Sequence, residues 1–285
     1  MTLTELAIER ARAGGDILRR CFANGVGVRH KGDIDLVTDA DLAAESEIIS
    51  GIRARHPDHA VLAEESGEEG QGDVRWIIDP LDGTVNFAHG IPHFSVLIAV
   101  QERSHAGFST QIGVVYDPMR EELFVAERGR GATLNGKPIH VSKTARLIDA
   151  MGVTGFAYDR LRGPHDNHAE FCALNLVTQG VRRFGSAGLD LAYVASGRFD
   201  LYWEYGLKPW DLSAGALLVV EAGGKVTDLA GGVKDPSQGG EVIASNGLTH
   251  AATVAALASA AKHPVNDRAA VIDHLPPAIA EGLRR

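Results

Sequence analysis

Asp41, Glu64, Asp79, Asp82 and Asp211 are the residues whose types and spacing could do chemistry in this chain. Three of them fall in Glu64-Glu65-Ser66 and in Trp76-Ile77-Ile78-Asp79-Pro80-Leu81-Asp82-Gly83-Thr84. There an apolar run, Trp76-Ile77-Ile78, ends abruptly in two aspartates. Clustered carboxylates repel and lose hydration together, so an apolar strand does not finish this way without a compensating charge. A divalent cation supplies that charge, and oxygen ligands without a matching Cys/His set select a hard ion such as Mg²⁺. Carboxylates with Mg²⁺ most often meet phosphate chemistry.

Each of these residues also has a plainer reading. Pro80-Leu81-Asp82-Gly83 is a turn sequence. Against that, Asp79 leaves a strand end that faces a cleft, and the Leu81 carbonyl is a further oxygen. Gly83-Thr84 opens a short helix whose N–H groups suit a phosphate. Glu64 follows the apolar Ala60-Val61-Leu62-Ala63 and is either a ligand or a loop acid, whereas Glu65 reads as solvated. Asp211, before Leu212-Ser213-Ala214-Gly215, is a natural N-cap, which does not stop it facing a metal. Asp41 completes a capping box with Thr38, and spacing alone favours that structural role. Glu204 is a strand-end acid, either solvated or able to accept hydrogen bonds from a polyol. His165 and His168 lack a third metal partner and read as surface residues, and His89 and His93 as packing or cleft rim.

These residues need elements to hold them. A helix is expected over 4–23, with Leu3, Ala7, Ala11, Gly14, Leu18 and Phe22 on one face. A second runs to about Arg55, with Leu42, Ile49 and Ile52 inward. Strands follow at Ala60–Ala63, Trp76–Ile78 and Phe94–Gln101, with a polar loop over 67–74. Ile112–Tyr116 and Leu123–Ala126 are joined by the turn Asp117-Pro118-Met119-Arg120. Ala132–Leu134 and Pro138–Val141 are joined by Asn135-Gly136, a strong hairpin signal. After about Lys143 helices alternate with strands: helices 167–180, 187–196, 212–222 and 248–262, strands 181–184, 199–203, 225–228 and 241–245. The fold class is therefore α/β, with an α+β first lobe (1–146), an α/β second lobe (147–262) and a peripheral tail (263–285).

Composition bounds the function. The 285 residues carry a formal charge of −9, against non-specific nucleic-acid binding, which wants a basic face. An anionic substrate then needs local reversal of sign, which two or three Mg²⁺ supply at roughly +4 to +6. The two cysteines, Cys21 and Cys172, fall in helical segments and read as buried free thiols in a reducing compartment. Neither a signal peptide nor a membrane-length apolar run is evident, so a cytoplasmic location is expected.

The segments Glu64-Glu65-Ser66, Trp76 through Phe87, and Trp210-Asp211-Leu212-Ser213-Ala214-Gly215 through Glu221-Ala222-Gly223-Gly224 closely resemble the inositol monophosphatase family. Asp35 through Asp41 and Asn135-Gly136-Lys137-Pro138-Ile139 through Ser142 are similar to further segments of it, and the likeness runs from about residue 4 to 262. The resemblance implies an αβαβα sandwich of the sugar-phosphatase type, usually a homodimer, with Mg²⁺-dependent, lithium-sensitive phosphatase activity. It implies that Glu64, Asp79 and the Leu81 carbonyl hold one Mg²⁺, and Asp79, Asp82 and Asp211 a second. It implies that Thr84, paired with Asp41, orients the attacking water, which Glu64 shares. Gly83 and Thr84 N–H groups would bind phosphate, and Glu204, Asp82 and the backbone near Ala187 would contact substrate hydroxyls.

Among relatives with these acids, Asp82-Gly83-Thr84-Val85-Asn86-Phe87 followed by His89-Gly90-Ile91-Pro92-His93 looks most like the inositol phosphate branch. Fructose 1,6-bisphosphate, histidinol phosphate and 3′-phosphoadenosine 5′-phosphate are the alternative substrates. A non-catalytic interaction protein is the alternative of another class. The complete acidic set speaks for the enzyme.

Overall fold

The computed structural model describes residues 1–24, 28–30, 36–105, 107–158, 166–235 and 238–260. His165 and the tail expected at 263–285 lie outside the described residues. The chain opens with α1 (Leu3–Asn24), β1 (Val28–His30), β2 (Leu36–Thr38) and α2 (Asp39–Arg53). Then come β3 (Ala60–Ala63), β4 (Gly67–Glu69), β5 (Val74–Asp82), α3 (Thr84–Ala88), β6 (Ser95–Ser104), β7 (Gly107–Asp117), β8 (Glu122–Glu127), β9 (Gly131–Leu134) and β10 (Lys137–Ile139). The second half holds β11 (Met151–Thr154), α4 (His168–Val177), β12 (Gly180–Arg182), α5 (Ala187–Ala195), β13 (Leu201–Leu207), α6 (Pro209–Glu221), β14 (Lys225–Thr227), β15 (Gly240–Ser245) and α7 (His250–Ala260).

Two sheets organise the molecule. The first has eight strands in the order β10-β9-β8-β7-β6-β5-β3-β4, and the second has five in the order β12-β11-β13-β15-β14. Period-two alternation decides what each face of the first sheet covers. Trp76, Ile78, Val96, Ile98 and Val114 pack against Leu6, Ala11, Leu18, Ile48 and Ile52 of α1 and α2. Ile77, Leu97, Ala99 and Val115 point the other way, into a core shared with α5, α6, and Tyr202, Val242 and Ala244 of the second sheet. Trp203, Leu201 and Ile243 face outward against Leu174 of α4 and Leu257 of α7. The layers therefore alternate αβαβα, as the family resemblance implies.

The middle layer explains α5 and α6. Every residue of α5 is buried, and so is α6 from Leu212 to Val219, as expected for helices covered by sheets on both sides. Close approach is built in through glycine. A Cβ at Gly113 of β7 would stand 2.6 Å from the Ala214 carbonyl oxygen of α6. On α1, a Cβ at Gly15 would stand 2.6 Å from the Tyr116 ring.

Local expectations differ from the structure at several points. Leu42 is 44% exposed, and the inward face of α2 is instead Ala40, Asp41, Ala44, Glu45, Ile48 and Ile52. Two buried acids on that face shift its apparent apolar stripe. The expected loop 67–74 contains β4, antiparallel to β3. Cys21 and Cys172 are free but only partly buried. Helix α6 begins at Pro209, earlier than expected, because proline suits the first helical position. The Asn135-Gly136 hairpin forms with both residues at positive φ, 49° and 76°, which is the turn that this pair favours.

Gly113→Ala forces Ala214, and with it α6, away from the sheet. Overpacking of this kind costs about 1–3 kcal/mol, a fall in Tm of roughly 2–10 °C for a domain of this size. Thermal unfolding by circular dichroism checks it, and an unchanged Tm contradicts the packing described.

Candidate active site

Strand pairing alone brings Glu64 and Asp79 together. β3 and β5 are parallel neighbours, with Ala63 opposite Ile78. The next residue of each strand direction is an acid, and the Glu64 N–H donates to the Ile78 carbonyl at 3.2 Å. Beyond this point β5 loses register with β6, pairing Asp79 with Leu97 and then Asp82 with Ser95. One extra residue lies between Asp79 and Asp82, a stretch that includes Pro80, which has no N–H for the ladder. Such a bulge re-aims side chains, and here Asp79 and Asp82 both face the cleft.

Gly83 follows at φ 102°, a conformation that favours glycine, and caps α3. A Cβ there would approach the His93 carbonyl oxygen at 3.1 Å. Thr84 begins the helix. Its hydroxyl stands 3.2 Å from Asp41 Oδ1 and 3.0 Å from the Leu81 carbonyl oxygen. Asp41 does complete a capping box, accepting the Thr38 N–H at 2.8 Å, so its structural and site roles coexist.

Asp211 enters from the middle layer. It is the third helical residue rather than the N-cap, and its Oδ2 accepts the Lys208 N–H at 2.6 Å. Asp79 and Asp211 line the same pocket, and the charge of Asp211 raises the Asp79 carboxyl. Asp82 is tied to α5: Oδ1 accepts the Ala187 N–H at 3.0 Å, and Oδ2 accepts the Gly188 N–H at 2.8 Å and the Ser186 hydroxyl at 2.6 Å. One pocket is lined by Glu64, Asp79, Asp82 and Asp211 together with Arg183 and Glu204. All of the acids singled out in the sequence except Asp41 thus meet in one cleft, with Asp41 reaching it through Thr84.

Low dielectric and mutual repulsion dominate the electrostatics. Burial, then Glu64, Asp82 and Asp211, hold the Asp79 carboxyl well above the ordinary range. Burial raises Asp82, against hydrogen bonds from Ser186, Gly188, Ser95 and Ala187 that favour its anion. Burial pushes Asp211 up to about 7 and Asp41 up to about 6, each opposed by backbone N–H donors. Burial likewise pushes Glu204 up to about 8, although the Tyr202 hydroxyl donates to it at 2.6 Å.

The donor set fits a hard divalent cation. Among the described residues no three His, Cys, Asp or Glu side chains form a ready-made metal cluster. Mg²⁺ does not require one, because it keeps several waters and takes one or two carboxylates plus substrate phosphate. Carboxyl oxygens already oriented by N–H donors, and kept from ionising together by their own repulsion, are what such an ion stabilises as anions.

Several residues here escaped the sequence reading. Glu45 is buried one helical turn after Asp41. Asp190 is buried with neither carboxyl oxygen hydrogen-bonded to a described residue, and burial with Glu204 and Asp82 raises it well above the usual range. An acid in Leu189-Asp190-Leu191, inside an otherwise apolar helix, was the available signal. Ser95 and Ser186, which flank Asp82, gave none. His168 is half-buried, and His93 is buried against Phe184 and Tyr193.

Known proteins share this arrangement of chain and fold. The model of the inositol monophosphatase family matches residues 1–262. An inositol-1-monophosphatase of Synechocystis sp. is 47% identical over 261 residues, covering 90% of this chain and 89% of that protein. A Nus factor SuhB of Pseudomonas aeruginosa is 44% identical over 252 residues, covering 86% of this chain and 91% of that protein. The structure of an inositol monophosphatase from Anabaena (Nostoc) sp. PCC 7120 matches with a TM-score of 0.81 at 45% identity, covering 90% of this chain and 95% of that one.

The carboxyls give a pH signature. Asp211 and Glu204 keep protons in the folded protein that the unfolded chain, with ordinary values of 3.8 and 4.5, releases. Their contribution to metal-free stability therefore falls as pH rises from about 4 towards 8. Bound Mg²⁺ offsets it, adding about 2.7 kcal/mol at 100 times Kd, or roughly 5–10 °C in Tm. Scanning fluorimetry with EDTA and with Mg²⁺ should show the Mg²⁺ increment growing from about pH 5 to 8. An increment independent of pH contradicts the assignment.

Proposed function

The chain belongs to the inositol monophosphatase family, and from that premise we propose that it is a Mg²⁺-dependent phosphomonoesterase that hydrolyses inositol 1-phosphate by in-line attack of water. The observation that carries this reading is the convergence of Glu64, Asp79, Asp82 and Asp211 on the cleft that also receives the Gly83-Thr84 helix start.

Glu64, Asp79 and the Leu81 carbonyl would hold one ion, and Asp79, Asp82 and Asp211 a second. When bound, Mg²⁺ neutralises the phosphate dianion, lowers the pKa of water and stabilises the leaving alkoxide. The protein's own groups do the rest. The Thr84 hydroxyl would donate to Asp41 Oδ1, 3.2 Å away, in place of the Leu81 carbonyl at 3.0 Å, leaving its oxygen lone pairs to orient the attacking water. Asp41, at about 6, is anionic at neutral pH and accepts the proton through Thr84. Gly83 and Thr84 N–H groups meet the phosphate oxygens. Glu204, Asp82 and the backbone at Ala187 meet the hydroxyls of the leaving polyol, and Asp82 exchanges some of its hydrogen bonds to α5 for them.

The polyol assignment rests on Glu204 beside the acidic cluster and on the Synechocystis relative's name. Fructose 1,6-bisphosphate, histidinol phosphate and 3′-phosphoadenosine 5′-phosphate would use the same machinery. The SuhB relative, nearly as similar, favours a second reading as a Nus factor. That reading alone leaves the oriented acids and the Thr84–Asp41 pair without a purpose. A homodimer, inhibition by Li⁺ and a cytoplasmic location belong to the same proposal; no described helix is long and apolar enough to cross a membrane.

Phosphate release from those four substrates, each with Mg²⁺, with EDTA and with added Li⁺, tests the reading. The expected result is Mg²⁺-dependent, Li⁺-sensitive turnover, highest on inositol 1-phosphate. Folded protein that releases no phosphate from any of them contradicts it. Asp79→Asn should lower kcat/KM at least roughly 100-fold with an unchanged circular dichroism spectrum. Retention of a tenth of the activity or more would remove Asp79 from its role.

A further inference from the structure

Helix α2 carries two buried acids one turn apart, Asp41 and Glu45, which places both on the face turned to the core. Asp41 reaches Thr84. Glu45 reaches the turn after β3: its Oε2 accepts the Glu65 N–H at 2.9 Å and its Oε1 accepts the Ser66 N–H at 2.8 Å. Glu45 is 4% exposed, so the acceptor side of both part-buried bonds is screened from solvent.

We propose that Glu45 is a positioning residue for Glu64, fixing the backbone that aims its carboxylate into the cleft. This rests on reading the cleft as a Mg²⁺ site. Residue 64 is pinned on both sides. Upstream, its own N–H extends the ladder to the Ile78 carbonyl at 3.2 Å. Downstream, the next two N–H groups are both taken by Glu45. Without that carboxylate the turn after β3 loses the acceptor of two successive N–H groups, and the direction of the Glu64 side chain is no longer set.

The geometry requires a carboxylate. Two successive N–H groups each need an oxygen, and only an ionised Asp or Glu offers two acceptors side by side. Glutamine of the same shape keeps one acceptor and turns an NH₂ against the other donor. The consequence is a shared reference: one helix sets both the Thr84 hydroxyl, through Asp41, and the Glu64 carboxylate, through Glu45.

Titration calorimetry of the full chain with Mg²⁺, for wild type and Glu45→Gln, is the test. Loss of a partner behind a metal ligand typically costs about 10–100-fold in affinity, and that loss is expected here. At saturating Mg²⁺, KM for inositol 1-phosphate should stay close to wild type, because Glu45 touches no substrate. In a Glu64→Gln background, Glu45→Gln should cost no further Mg²⁺ affinity, since its effect passes through Glu64. Unchanged Mg²⁺ affinity in folded Glu45→Gln, or losses that add in the double variant, overturns the inference while leaving the function standing. Wild-type protein that binds no Mg²⁺ overturns both. A second measurement needs no variant: the Glu65 and Ser66 amides of the wild type should be protected from hydrogen exchange, and exchange at the rate of an unstructured peptide overturns the inference as well.

Discussion

Like charges held together out of water are the constraint around which this molecule is arranged. Glu64 and Asp79 follow directly on the last parallel pair of β3 and β5, Ala63 opposite Ile78, which keeps the two side by side. Asp82 and Asp211 are added by a bulge and by the start of a helix from another layer. Desolvation and repulsion both act on this group, so its carboxyls hold protons to unusually high pH. A fold does not accumulate such a cost in one cleft unless something positively charged is to be received there. The same repulsion that raises the protons is the affinity that a divalent cation and its phosphate partner draw on.

The scaffold answers that repulsion with fixed backbone donors. Asp79 Oδ1 accepts the Leu81 N–H at 3.0 Å, Asp82 accepts two N–H groups from the start of α5, Asp211 accepts that of Lys208, and Asp41 that of Thr38. Each carboxylate is thus held on its protein side by a group that cannot rotate away. Its other lone pairs are left in a defined direction, which is preorganisation in the sense that matters for charge stabilisation. The αβαβα layering makes this attainable. It brings the N-termini of α5 and α6, both in the middle layer, to the edge of the first sheet where β3 and β5 end.

The acids were legible because their surroundings in the chain are anomalous: Asp79 and Asp82 close an apolar run, and Glu64 follows one. Strands and hairpins with strong local signals, such as Asn135-Gly136, were legible for the same reason. What could not be seen depended on contacts between distant segments. Leu42 looks apolar and inward but is exposed, because the face it competes with carries Asp41 and Glu45, acids whose burial only their distant partners explain. Asp211 was legible as a helix-start acid, but whether it was the N-cap or the third residue turned on how Pro209 would be used. Ser186 and Ser95 hold Asp82 from elements about 100 and 13 residues away, and no periodicity in the sequence points to either.

Diffraction from crystals soaked in Mn²⁺, with anomalous maps to mark the ion, tests the central claim most directly. The account predicts anomalous density between Glu64, Asp79, Asp82 and Asp211, lost when Asp79 is replaced by asparagine. Crystals that take up Mn²⁺ elsewhere, or not at all, while these carboxyl groups keep their metal-free arrangement would contradict it.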